Sequence, residues 1–132
     1  MLNIHDSLIL SAVERDELNQ VWHRMKTWPD AVDAIHRLRG TYTTTVLTVL
    51  SYAIAVDCSK FNGLFWDGIM SCEFLDHYKK DPEAYQQAAK LLGRRPDEVM
   101  MVATHAADLM GAKVAGLKTA YIHVEDEWID VF

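Results

Sequence analysis

The sequence predicts an α/β fold, a mostly parallel sheet of about four strands with flanking helices. Three observations predict it. Runs rich in β-branched and apolar residues alternate with amphipathic stretches of helical period. Serine, aspartate and proline stand where helices should start, and glycine where they should stop. No repeat, low-complexity run or linker-like stretch intervenes, so the 132 residues read as a single domain with one core.

The elements follow in order. Leu8-Ile9-Leu10 fits a strand or the end of a helix. Ser11 and Glu14 form a capping box, and Val13, Leu18, Val21, Trp22 and Met25 recur at helical spacing, which predicts a helix from Ser11 to Met25. Trp28-Pro29-Asp30 breaks it and starts a second helix, with Val32, Ile35 and Leu38 inside and Gly40 as its stop. Thr41 to Leu50 is dense in β-branched residues and reads as a strand. Ser51 caps a helix to about Asn62, and Gly63 ends it. Gly68 to Cys72 is a short strand, followed by a polar loop from Glu73 to Lys80. Asp81-Pro82-Glu83 starts a helix with proline in the first turn and an acid at the positive end of the dipole; Gly93 ends it. Val99 opens an apolar strand predicted to be buried on both faces, Ala106 to Ala115 a helix stopped by Gly116, and Thr119 to Val124 a last strand.

Composition excludes several classes. Thirteen basic against nineteen acidic residues, a formal charge of −6, argue against a nucleic-acid surface. Cys58 and Cys72 have no metal-ligand spacing and are too few for a disulfide framework, so they read as buried thiols in a reducing compartment. No apolar run reaches membrane-spanning length and no signal-peptide layout opens the chain, so a cytoplasmic protein is expected. No histidine pair has metal-ligand spacing; neither metal nor cofactor is expected.

In a parallel sheet the ligand crevice lies beyond the carboxyl ends of the strands. Here those ends are Thr48–Ser51, Cys72–Lys79, Thr104–Asp108 and His123–Glu125. They bring a hydroxyl, a lysine, histidines and an acid to one edge. His105 and Asp108, where a buried strand gives way to a helix, are the centre of this set, or they merely cap that helix. Trp22, Trp28, Phe65 and Trp66 read mainly as core, although an aromatic pocket would use the same residues.

Val21-Trp22-His23-Arg24-Met25, Trp28-Pro29-Asp30, Gly63-Leu64-Phe65-Trp66-Asp67, Tyr78-Lys79-Lys80-Asp81-Pro82-Glu83-Ala84-Tyr85 and Val99 to Leu109 carry a likeness. Together they resemble the type II haloacid dehalogenases, a branch of the haloacid dehalogenase (HAD) superfamily, over roughly Glu14 to Val124. The resemblance implies a HAD-like Rossmannoid core at residues 28–124, a cap remnant at 1–27 and a tail at 125–132. It implies that Thr48 matches the family's second-motif hydroxyl, Lys79 its lysine and Asp108 its fourth-motif acid. Tyr85 matches a tyrosine near the substrate carboxylate, and His105 a variant of the fourth motif. Lys80 stands where the family has proline, and Val49 and Ala106 where it has asparagine.

The family's first strand, with its nucleophilic aspartate, and most of the cap have no counterpart in these residues. A truncated member is therefore expected, unable alone to act as an aspartate-nucleophile dehalogenase or phosphatase. One reading is a repurposed small-molecule enzyme of isomerase, cyclase or lyase type. It would use Lys79, Asp108 and His105 for acid–base or electrostatic catalysis, with Thr48, Tyr85, Tyr78 and Trp66 binding a small organic substrate. The alternatives are a non-catalytic protein-binding module and a remnant of a dehalogenase-like hydrolase. In the family the absent strand lies between those matching Thr43–Thr48 and Val99–Thr104. The gap would be closed by direct pairing, by Leu8–Leu10, or by a second copy, and a homodimer is favoured because Trp22 and Trp28 also need cover. Sizing chromatography with light scattering should accordingly give twice the mass of one chain; a clean monomer would refute it.

Overall fold

The computed structural model describes residues 10–124, which hold five α-helices and four strands. They are α1 (Ala12–Val21), α2 (Ala31–Arg39), β1 (Thr45–Thr48), α3 (Tyr52–Asn62), β2 (Gly68–Ser71), α4 (Pro82–Leu91), β3 (Met100–Ala103), α5 (Ala106–Val114) and β4 (Lys118–Tyr121). The alternation of helix and strand is the predicted α/β order. Leu8 and Ile9 of the ambiguous N-terminal run, His5 and the acidic tail from Glu125 lie outside the described residues.

The described residues sort into two compact units. One comprises residues 10–45 and 52–69. Its first helix starts as the capping box requires: the Glu14 amide donates to Ser11 Oγ at 3.2 Å, and the Ser11 amide to Glu14 Oε2 at 2.8 Å. The predicted helix to Met25 divides, because α1 tightens into a 3-10 turn at Trp22–Arg24 that packs on α3. Asn62 holds the next segment down. Its Oδ1 accepts from the Thr27 amide at 3.0 Å, and its Nδ2 donates to the Met25 carbonyl at 2.7 Å. The predicted strand from Thr41 is shorter at its start, since Thr41 and Tyr42 donate their amides back to the Leu38 carbonyl and finish α2. Thr44 is fixed instead by Asp67, which accepts its amide at 2.8 Å and the Arg39 guanidinium at 2.8 Å.

The other unit comprises residues 46–51 and 70–124. Strands β3 and β4 run parallel, with Met100 opposite Lys118 and Ala103 opposite Tyr121. Helix α5 packs on both strands, and α4 packs on α5. The core is Tyr85, Ala112, Ala115 and Leu117, with Leu47, Val99 and Met101 against it. Ala84, Ala88 and Ala89 are buried on α4, small residues that let helices approach closely.

Three expectations need correction. The strands form two pairs, β1 with β2 and β3 with β4, rather than one continuous sheet. Direct pairing of β1 with β3 is therefore not how the gap between them is closed. The Val99 strand is also not buried on both faces. Met100 and Val102 are 54% and 45% exposed, while Met101 and Ala103 alternate inward, because α5 covers one face only. Nor do the aromatics form core: Trp22, Trp28 and Phe65 are exposed.

Of the four glycine stops, Gly63, Gly93 and Gly116 have positive φ, while Gly40 ends α2 at φ −64°. Gly116 is the most constrained, at φ 94°, with Pro96 Cβ only 3.4 Å from where its own Cβ would lie. Gly116→Ala should therefore lower the free energy of urea unfolding by about 1–2 kcal/mol; an unchanged midpoint would contradict this.

Candidate functional site

Three of the predicted residues meet at one end of the α/β unit. Lys79 ends the loop before α4, Tyr85 lies in the first turns of α4, and Asp108 lies in the first turn of α5. The Lys79 ammonium is 2.7 Å from Asp108 Oδ2 and donates to the Leu47 carbonyl at 3.0 Å. The Tyr85 hydroxyl donates to Asp108 Oδ1 at 2.5 Å. Both carboxylate oxygens of Asp108 are thus engaged, and its place in the first helical turn adds the favourable end of the α5 dipole. The Lys79 and Asp108 side chains are only 14% and 13% exposed, so their attraction is little screened by water.

Tyr85 is fully buried. Burial, then its hydrogen bond to Asp108 and that carboxylate's charge, push the phenol above its ordinary range. It stays neutral and serves as a donor. The resemblance puts Tyr85 beside substrate, but here its ring is sealed in the core and its hydroxyl is given to Asp108, so it acts as a support.

Thr48 Oγ1 accepts the Leu50 amide at 3.0 Å and shapes the turn after β1. His105 is exposed at the N-cap position of α5, and Tyr78 is half exposed next to Lys79. Trp66 belongs to the other unit, where its indole Nε1 donates to Ser59 Oγ at 3.0 Å. A groove of about 440 Å³ in that unit is lined by Gln20, His23, Arg24, Asp57, Lys60 and Phe61, and contains none of the candidates.

Sequence reasoning missed two contributors. The Leu47 carbonyl leaves no side-chain signal at all. Ser71, fully buried, donates to the Leu50 carbonyl at 2.7 Å and accepts the Glu73 amide at 3.1 Å, tying the ends of β1 and β2 together. A serine closing a predicted strand was the signal available for it.

No group of three or more His, Cys, Asp or Glu side chains among the described residues is arranged to hold a metal ion. Asp108, already shared between an ammonium and a hydroxyl, does not fit a divalent cation. Among the described residues no helix is long and apolar enough to cross a membrane.

Residues 3–116 match the profile of haloacid dehalogenase-like hydrolases. The chain is 31% identical over 113 residues to (S)-2-haloacid dehalogenase 4A of Burkholderia cepacia, covering 83% of this chain and 48% of that protein. Over 58 residues it is 38% identical to the pyrophosphatase PpaX of Bacillus cereus, covering 44% and 27%. The crystal structure of the L-2-haloacid dehalogenase PA0810 superposes with a TM-score of 0.83 at 35% identity, over 89% of this chain and 50% of that one. The chain spans about half the length of the dehalogenases it matches.

The Tyr85 contact has a measurable pH signature. A phenol whose pKa is raised by folding contributes stability that is intact below the unfolded value, about 10, and is lost as pH rises beyond it. Tyr85→Phe should cost about 2 kcal/mol at neutral pH, because Asp108 loses a donor. It should also flatten the alkaline decline in unfolding free energy seen above about pH 10. Parallel wild-type and variant profiles across that range would show that Tyr85 carries no such linkage.

Proposed function

From the premise that this chain belongs to the haloacid dehalogenase-like hydrolases, we propose that its α/β unit is the charge-holding half of a hydrolytic site that works through a carboxylate nucleophile. The observation carrying this reading is the Lys79 ammonium, held by Asp108 and by the Leu47 carbonyl at the end of β1. An ammonium has three donors. Two are accounted for among the described residues, and the third would serve a negatively charged group brought to the strand ends. A lysine fixed in this way holds a carboxylate ionised and in line for attack, and it stabilises charge that develops on substrate.

Asp108 itself is an unsuitable attacker, because both its oxygens are bound and one faces the buried phenol. The nucleophile would come from polypeptide other than residues 10–124, on a strand that reaches Lys79. The dehalogenase likeness favours a 2-haloacid as substrate, with hydrolysis of the carbon–halogen bond through an ester. The shorter pyrophosphatase match makes phosphate transfer the next candidate.

The acid–base reading, an isomerase, cyclase or lyase, has less behind it. Lys79 and Asp108 are already engaged with each other, and His105 is exposed at the N-cap of α5. A purely protein-binding role would leave the pair in solvent, whereas both side chains are mostly covered. A homodimer remains the proposed assembly, with a second copy covering Trp22 and Trp28.

The 132-residue chain alone should release no halide from 2-chloropropionate above background. Fused behind the N-terminal half of the Burkholderia cepacia dehalogenase, it should release halide, and Lys79→Ala should reduce that rate about 100-fold or more. Robust release by the chain alone, or a fusion indifferent to Lys79→Ala, would overturn the reading.

A further inference from the structure

We infer that Gly111 is a positioning residue for the Lys79–Asp108 pair: its missing side chain makes the space in which the Tyr85 ring and the Lys80 carbonyl rest against α5. The inference rests on the reading of Lys79 and Asp108 as the site. A Cβ at Gly111 would stand 2.6 Å from the Lys80 carbonyl oxygen, 3.0 Å from Tyr85 Cε2 and 3.1 Å from the Tyr85 hydroxyl. The first of these is backbone and cannot swing aside. The second and third belong to a fully buried residue of the core cluster.

Relief therefore has to come from moving one of two things. Displacing the Lys80 carbonyl moves the Lys80–Asp81 peptide, one residue beyond Lys79. Displacing the Tyr85 ring pulls its hydroxyl from Asp108 Oδ1. Either shift is delivered to the same ion pair. Glycine weakens a helix interior relative to alanine, and Gly111 has no positive φ to require it. Its φ is ordinary and its surroundings are crowded, so the demand is for space. A glycine inside a helical pattern that breaks local preference is expected where another backbone approaches closely.

The test is acylation of Lys79 in the whole 132-residue chain by acetic anhydride, followed site by site by mass spectrometry. Exposed Lys113 and Lys118 serve as internal references. Gly111→Ala should raise the Lys79 rate about tenfold while leaving both references near wild type, as a local opening does. On a Tyr85→Ala background, where two of the three contacts vanish, the same substitution should have less than half that effect. Wild-type protection of Lys79 in Gly111→Ala overturns the inference, as does an equal effect on both backgrounds. If Gly111→Ala does not fold, refolding of the Gly111→Ala/Tyr85→Ala double variant supports the contact, and loss of fold in both overturns it. The readout needs no turnover, so the inference can fail while the hydrolase reading stands, and the reverse.

Discussion

Asp108 is the constraint on which the arrangement of the α/β unit depends. One oxygen takes the ammonium of the loop before α4, and the other takes a phenol from within α4. Through Lys79 the same carboxylate is linked to the backbone at the end of β1. Three chain segments distant in sequence, the end of β1, the stretch from Lys79 to Tyr85 and the start of α5, are thereby held at one point. Removing one member of a largely desolvated ion pair costs on the order of 3 kcal/mol, because the other charge is stranded. That is a sizeable share of the whole stability of a small domain, typically 5–15 kcal/mol. The site and the fold of this unit are consequently hard to separate energetically.

The packing around that point is built from small residues. Ala84, Ala88 and Ala89 on α4, and Gly111 and Ala112 on α5, let the two helices close around a single large side chain, Tyr85. Filling an alanine-lined space with one aromatic concentrates the apolar burial on the residue that also donates to Asp108. The same economy leaves the opposite face of β3 open, where Met100 and Val102 are exposed, and leaves the strands in two separate pairs. A strand that alternates inward and outward behaves as one side of a covered sheet, whatever its composition suggests.

Much of the site was legible from residue types alone. The spacing around Tyr78-Lys79 and the acid at Asp108 marked both charges of the pair, and the alternation of elements marked their common edge. Tyr85 was marked as well but for a different duty, since burial cannot be read from one aromatic in a helix that is otherwise alanine-rich. His105 and Thr48 look equally chemical in sequence. In the structure one is exposed and the other shapes its own turn. The Leu47 carbonyl could not have been anticipated, because every residue carries one and only its surroundings select it.

Local chemistry, then, determined the helix starts, the glycine stops and the order of strand and helix, since each depends on residues within a turn or two of one another. Tertiary structure decided how the strands pair, which face of β3 is covered, and which polar groups share Asp108. Those outcomes depend on distances between segments tens of residues apart, and the free energy that separates the alternatives comes from burial and desolvation that no single stretch of chain contains.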